Sequence, residues 1–538
     1  MIGAWDLLFS PEPPAQERLA ALLLDYARPR RWFRAKSRAT RGARVADVIP
    51  LPGDAPPNLL VLLEIAYDGD GAGADADLYV IPLAQVGPAA AAALAIDRPH
   101  ALVALFDEGA GGALVDGLAT GAAAPALLRL VRAGAVARGE HGELRGQAFP
   151  GLAEASAPID GAALTVSVPR VEQTNSTVTF GDRLLLKIYR PLTPGASPEL
   201  EMGEFLSARG PLAFVPRVLG ALTYVGRDGL PRVLGVAHEY LSNDGDGWSL
   251  ALRALDDYFD RVAREPAPPP PPGSQAATAL VGRIASLAET LGRRTGQLHL
   301  ALAATAGDPA FAPEPLTEAD RAAMAARAES MLERHLAMLA TAATVAPAVR
   351  ALAERLRPDG PERRTIATLL ARVRDRPIAV VKTRIHGDLH LGQVLARGDD
   401  FAIIDFEGEP ARPPDERRAK SSPLRDVMGM VRSFDYAPAA ALRARARAAA
   451  EARSSQAELE PWAALWTAEV SAAFLRGYLA TVTGAPFLPR DADALSALLL
   501  FHELEKVIYE LGYEIDNRPD WVEIPLRRLV EIGAGGRR

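Results

Sequence analysis

The sequence predicts an α+β chain, with strands concentrated before residue 242 and helices dominating after it. Three observations carry this. Short apolar runs separated by Gly, Asp and Asn turns crowd the first part. Apolar residues spaced for one helix face recur through the second. A length of 538 residues, 49% of them apolar, exceeds one compact core and implies about two to four domains or subdomains. The expected division is a small α+β subdomain over 1–120, a β-rich subdomain over 121–241 and a helical lobe over 242–538.

Taken in order, Glu17 to Asp25 has the spacing of an amphipathic helix. The string Arg30-Arg31-Trp32-Phe33-Arg34-Ala35-Lys36-Ser37-Arg38 follows, and its shortness in an acidic chain favours a structural role over a phosphate or nucleic-acid patch. Runs at Asn58 to Ala66 and Leu78 to Leu83 form a meander around the loop Asp68 to Asp77. A helix is expected around Pro125 to Ala133, with the proline in its first turn. Strands are expected at Leu164 to Val168, Ser176 to Phe180 and Arg183 to Tyr189, the last two joined by a tight Gly181-Asp182 turn. Ser197-Pro198 starts a helix, and Arg232 to His238 and Glu239 to Leu241 read as strands. Helices follow at Leu250 to Val262, Ala276 to Ala304 and Glu318 to Thr341, then as a long carboxy-terminal series. Pro266 to Gly273 is a stiff, extended loop, and no internal repeat is visible.

Composition narrows the function classes. A net charge of -7 without a long basic tract argues against nucleic-acid binding. The absence of cysteine removes disulfides, thiolate zinc sites and cysteine nucleophiles. Met1 to Asp6 has no secretory pattern, and no apolar run approaches about 18 residues, so neither export nor a membrane span is expected and a cytoplasmic location is the default.

The strongest chemical signal is His386-Gly387-Asp388, with Gln393 and Asp405 following it. Strands Ile378 to Val381 and Val394 to Ala396, a turn at Arg397-Gly398-Asp399-Asp400 and a returning strand Phe401 to Ile404 would bring Asp405 back to the loop that holds Asp388. Phosphoryl transfer from ATP needs a carboxylate to orient an acceptor hydroxyl, and a second carboxylate with a neutral oxygen to hold Mg2+. Asp388 fits the base, Gln393 the side-chain carbonyl ligand and Asp405 the metal carboxylate. Either piece alone is also what an ordinary turn or strand end looks like; the combined spacing selects the chemical reading. His386 is expected to brace the loop and border the acceptor rather than act as acid or base.

The nucleotide half is read upstream. Glu172 to Thr177 is a turn of small hydrogen-bonding residues, in which Gln173, Asn175 and Ser176 would face phosphate oxygens while Lys187 reaches the α and β phosphates. An exposed strand lysine would give the same local pattern. Glu199, Glu201 or Glu204 should pair with Lys187, and Glu201 is favoured. Glu239, Tyr240 and Leu241 are the candidates to meet the adenine edge. For the acceptor, Lys506, Tyr509, Glu510 and Tyr513 fall on one helix face, where rings can cover a sugar's apolar faces and polar atoms select its hydroxyls. A polar outer face with tyrosines at a domain seam would look the same.

A family resemblance joins these pieces. Gln173-Thr174-Asn175-Ser176, Lys187 with Pro194-Gly195 and Pro198-Glu199-Leu200-Glu201, Gly245-Asp246-Gly247-Trp248, and Leu291 to Thr295 with Leu298-His299-Leu300 belong to it. So do Arg384 to Val394, Phe406-Glu407-Gly408-Glu409-Pro410, Lys420 to Val427, and Tyr513 through Asn517-Arg518-Pro519-Asp520-Trp521 to Leu526. Together they resemble the bacterial maltokinases from the Arg31-Trp32-Phe33 string almost to the last residue. The resemblance implies a bilobal protein-kinase-like (aminoglycoside phosphotransferase-like) fold, with an N-terminal α+β cap subdomain and a mainly helical C-terminal lobe. It implies transfer of the γ-phosphate of ATP, with Mg2+, to the anomeric hydroxyl of maltose, in the route from trehalose to α-glucan and glycogen. It gives Asp388, Gln393, Asp405, Lys187 and the Lys506 to Tyr513 face the roles above, makes Glu407 a neighbour of the metal, and suggests association with trehalose synthase. The chain is longer than the stand-alone enzymes, partly through the proline loop and the stretch Ala437 to Glu458. Related chains of this architecture phosphorylate other sugars, including glucosamine, so a kinase of glucosamine or of an aminoglycoside is the alternative acceptor reading. A non-catalytic ATP-binding partner of trehalose synthase is the alternative of another class.

Overall fold

The computed structural model describes the chain apart from residues 1–8, 11, 37, 54–57, 69–75, 107–110, 159–161, 170–173, 209, 211, 265–267, 305–306, 342–345, 411, 449–452 and 537–538. The expectations for Met1 to Asp6 and Gln173, for much of the Asp68 to Asp77 loop and for parts of the proline loop and of Ala437 to Glu458 lie outside the described residues. The chain divides into two compact units, Met1–Ser242 and Asn243–Arg538.

The first unit holds two antiparallel sheets. One runs in the order Thr40–Pro50, Leu59–Tyr67, Ala76–Val86, Ala113–Asp116, Leu102–Leu105, and Pro191–Leu192 also pairs with Ala76–Val86. Alternation along Leu59–Tyr67 decides its packing. Val61, Leu63 and Ile65 pack with Leu19 and Leu23 of the helix Pro13–Ala27, whereas Leu60 and Leu62 share a core with Leu127, Leu186 and Leu222. Residues on both sides of position 120 thus fill one core. Trp32 and Phe33 are buried, and Phe33 stacks on Tyr79 with ring centres 5.3 Å apart, so the aromatics of the basic string serve packing.

The second sheet runs Val136–Arg138, Glu143–Ala148, Val218–Val225, Pro231–Glu239, Leu184–Ile188, Ser176–Phe180, Val166–Ser167. Lys187 lies in its middle, opposite Thr177 on one side and Val236 on the other. The two strands expected between Arg232 and Leu241 are one, Pro231–Glu239. The helix Pro198–Ala208 follows Ser197-Pro198.

The second unit is mainly helical. Asp246 caps Gly247–Val262 by accepting the amide of Ser249 at 2.6 Å. The single helix expected over Ala276 to Ala304 is two, Gln275–Val281 and Arg283–Ala303, because Gly282 turns with φ +65° and ends the first. Long helices follow at Glu318–Thr341, Leu424–Ala448, Arg453–Thr481 and Ala492–Asn517, with Glu523–Gly533 near the end. The strand expected at Ile378 to Val381 is reduced to Val381–Lys382, paired with Glu314–Pro315. The hairpin that matters most forms, Val394–Arg397 pairing antiparallel with Asp400–Ile403. Among the described residues no helix is long and apolar enough to cross a membrane.

Candidate active site

In the second unit the hairpin closes the loop from both ends. The Ile404 amide donates to the Gln393 carbonyl at 3.0 Å, which extends the ladder by a step and sets Asp405 just past the returning strand. Asp405 has φ +68°, the sole non-glycine residue with positive φ among the described residues. A left-handed residue with a Cβ costs energy and is kept where surrounding structure over-determines it. Glu407 stands two residues on, and oxygens of the two carboxylates lie within 4.8 Å of each other. Gln393 ends the short turn Leu391–Gln393, which His390 Nδ1 caps by accepting the Gly392 amide at 2.9 Å. Two carboxylates this close are hard-oxygen donors of the kind that suits Mg2+.

His386 braces this loop. Its Nε2 donates to the Ile404 carbonyl at 2.8 Å, its ring packs 4.9 Å from that of Phe406, and it is buried. With the proton on Nε2, Nδ1 is the acceptor facing the Asp388 amide at 3.4 Å. Both ring nitrogens of His386 thus serve contacts inside the loop. Beneath it, the buried Asp426 accepts the amides of His386 at 2.7 Å and Gly387 at 2.9 Å. His299 Nε2 donates to Asp426 at 3.2 Å, and His299 Nδ1 meets the Tyr478 hydroxyl at 3.0 Å. Burial raises the Asp426 carboxyl, but His299, His386 and the backbone donors outweigh it and hold the group below the usual carboxylate range. Asp426 and His299 had no role assigned from the sequence. Both fall in stretches that carry the family resemblance, Leu298-His299-Leu300 and Lys420 to Val427, but spacing alone gives no link to the loop they support.

Asp388 faces a charged cluster on the helix Ala492–Asn517. Lys506 Nζ lies 3.7 Å from Asp388 Oδ1 and 3.4 Å from Glu409 Oε1. Burial disfavours the ammonium, yet Glu409, Asp388 and Glu510 outweigh it and raise Lys506 above the ordinary lysine value. Glu409, 2% exposed, also binds Arg412 at 2.6 Å and Arg425 at 3.1 Å. Burial would raise its carboxyl, but the three cations hold it low. Tyr509 has the Lys506 ammonium 4.8 Å from its ring centre, and burial with the carboxylates of Glu409 and Asp388 pushes its hydroxyl up. The predicted face thus divides. Lys506 and Tyr509 gather at Asp388, Tyr513 is 44% exposed with Arg518 over its ring at 5.3 Å, and Glu510 points inward. Glu510 takes both Nε and Nη2 of the buried Arg432, at 2.9 and 2.7 Å, so the expectation that it stands open to a sugar is corrected.

In the first unit Lys187 Nζ pairs with Glu199 at 2.7 Å, and the expected pairing with Glu201 is corrected. Glu199 is 3% exposed and also accepts from the Tyr189 hydroxyl at 2.5 Å, with His238 Nε2 3.1 Å away. Burial raises its carboxyl, but Lys187 and His238 outweigh it and drive it below the carboxylate range. The signal was present in the sequence. Glu199, Met202, Gly203 and Leu206 share the buried helix face at i, i+3, i+4 and i+7, and Glu201 does not belong to it. Ser176 Oγ accepts Arg190 Nε at 2.8 Å, and Arg190 forms a buried pair with Asp116, Nη1 to Oδ2 being 2.8 Å. Asn175 precedes Ser176 at the start of the same strand. At the expected adenine edge, the Glu239 amide donates to the Arg217 carbonyl and the Tyr240 amide to that of Arg183. Glu239's carboxylate takes Arg217 at 2.9 and 3.2 Å, and Leu241 lies past the strand end.

Comparison with known proteins aligns both halves. Residues 26–119 match the maltokinase N-terminal cap domain, and residues 165–465 match the phosphotransferase enzyme family. A glucosamine kinase of Streptacidiphilus jiangxiensis is 27% identical over 440 residues, covering 81% of this chain and 86% of that protein. A glucosamine kinase of Mycolicibacterium smegmatis is 29% identical over 266 residues, 49% of this chain and 57% of that one. Among solved structures, a glucosamine kinase in complex with glucosamine, ADP and inorganic phosphate has a TM-score of 0.57 at 22% identity, covering 99% of this chain and all of that one. A second crystal form of a glucosamine kinase gives 0.56 at 22%, covering 99% of each chain. These structures share the fold.

Proposed function

The chain belongs to the phosphotransferase enzyme family, and we propose that it is an ATP-dependent sugar kinase that transfers the γ-phosphate of ATP to the anomeric hydroxyl of maltose, giving maltose 1-phosphate and ADP. Lys187, held by Glu199, offers its ammonium to the α and β phosphates. Gln393, Asp405 and Glu407 would hold magnesium, which supplies charge neutralisation to the phosphates. Asp388 orients the anomeric hydroxyl and takes its proton late, as the new bond to phosphorus forms and the bond to the β-phosphate oxygen breaks. Lys506 keeps the Asp388 carboxylate in place.

The observation that carries the acceptor is the charge balance around Asp388. Glu409 is matched by Lys506, Arg412 and Arg425, and Glu510 by Arg432. A neutral sugar fits such surroundings, whereas an ammonium sugar would ask for an acid without a cation beside it. The match to a maltokinase cap supports the same reading. Glucosamine is the second reading, favoured by the names of the two relatives. An ATP-consumption panel with maltose, glucose, trehalose, glucosamine and an aminoglycoside, followed by identification of the phosphorylated position, decides between them. Maltose should give the highest kcat/KM, with phosphate on the anomeric oxygen. Turnover of glucosamine with none of maltose would replace the acceptor, and nucleotide binding without turnover of any sugar would favour the non-catalytic partner of trehalose synthase.

A further inference from the structure

A groove of about 330 Å³ opens in the second unit, walled by the helices Leu424–Ala448, Arg453–Thr481 and Glu523–Gly533. Its volume lies within the ~300–1,000 Å³ usual for small-molecule sites. None of Asp388, Gln393, Asp405, Lys506 or Tyr509 lines it; Arg432, the buried partner of Glu510, stands between the groove and the acceptor residues. Two guanidinium nitrogens in its wall, Arg443 Nη1 and Arg528 Nη2, are buried and lack a hydrogen-bond partner among the described residues. Arg528 is only 9% exposed, and its other nitrogens are occupied by Glu503 at 2.8 Å and Glu531 at 2.9 Å. A buried donor left unmade costs about 1–3 kcal/mol, so either side chain would gain by turning to an acceptor oxygen in the groove.

The lining selects the ligand class. Four arginines and four carboxylates surround the groove, so it has no net charge with which to attract an anion. Donors and acceptors are mixed along the lining, Arg443 and Arg528 together with Glu460 and Glu523, which both pair with Arg527, beside the apolar Leu442 and Ile524. Vicinal hydroxyls answer such a mixed set, and the C–H faces of pyranose rings answer the apolar pair. We propose that this groove is a second carbohydrate site, taking a neutral oligosaccharide apart from the acceptor. The choice of probe rests on the maltose reading above.

Maltotetraose titrated into the full chain by calorimetry should show a binding event that inorganic phosphate and glucose 1-phosphate do not reproduce. Ala464→Trp fills the groove from an exposed helix position and removes no charge. It should weaken that event by about ten-fold or more, about 1.4 kcal/mol, while maltose turnover and the thermal midpoint stay at wild-type values. Arg443→Gln should weaken it in the same direction. Binding that Ala464→Trp leaves unchanged, no event beyond the acceptor site, or preferential binding of phosphate would each overturn the proposal. Loss of maltose turnover in the wild-type chain with the groove event intact would instead remove the acceptor reading alone.

Discussion

At the scale of single residues, the Lys187 partner shows how much of the site was legible. The chemistry demanded a glutamate, and three stood in one helix; the buried face of that helix, Glu199 with Met202, Gly203 and Leu206, picks the right one. The loop told more of its own story. Asp388, Gln393 and Asp405 are placed by a hairpin whose turn and strands are all local, whereas Asp426 and His299 act from helices distant in sequence and carry no local signature. Glu199→Gln leaves a lysine that is 11% exposed without its carboxylate, and breaking such a buried pair costs roughly 3–5 kcal/mol. Its KM for ATP should rise by about ten-fold or more, while Glu201→Gln stays within about two-fold and about 0.5 kcal/mol of wild type. The sign of the pH effect follows from a folded carboxyl held below its unfolded value. The stabilisation is complete above the unfolded value near ~4.3 and is lost as pH falls through the folded one. Urea unfolding from pH 7 downward should therefore bring wild type and Glu199→Gln together in acid. A difference between them that stays constant with pH would show that the carboxylate's charge is not what stabilises.

At the scale of elements, period and punctuation were readable where they were local. The unbroken apolar run Leu59 to Leu63 announces a strand buried on both faces, and the Gly-Asp turns announce both hairpins. The break at Gly282 was hidden because a glycine inside a helical pattern also serves packing. Its neighbour Gly292 does that. A Cβ there would stand 2.1 Å from the Phe474 carbonyl oxygen, and one at Gly477 would stand 2.1 Å from that of Glu289. The helices Arg283–Ala303 and Arg453–Thr481 thus touch backbone to backbone at reciprocal glycines, which also keeps Tyr478 beside His299. Gly292→Ala raises helix propensity by about 1 kcal/mol and would stabilise an uncrowded helix. Against a fixed carbonyl the overlap should prevail and cost about 1–3 kcal/mol net, read as a lower urea midpoint with an unchanged slope. A midpoint at or above wild type would mean that the two helices separate without penalty.

At the scale of the whole molecule, the proposed reaction links metal, nucleotide and folding. A ligand that binds the native chain alone stabilises it by about 2.7 kcal/mol at one hundred times its Kd. Mg-ATP should accordingly raise the thermal midpoint, and Asp388→Asn should retain that rise while losing most turnover, about 10²–10⁴-fold, because the base is not asked to bind nucleotide. Asp405→Gly separates the two in the other direction. Glycine accepts φ +68° without the penalty an aspartate bears, so the ligand-free protein should unfold within about 1 kcal/mol of wild type. The same change removes a metal carboxylate, so the rise with Mg-ATP over ATP plus chelator should disappear. A backbone conformation unfavourable to aspartate is then explained by what its carboxylate holds. If Asp405→Gly keeps the full magnesium-dependent rise, the carboxylate is no ligand and the strained turn needs another cause.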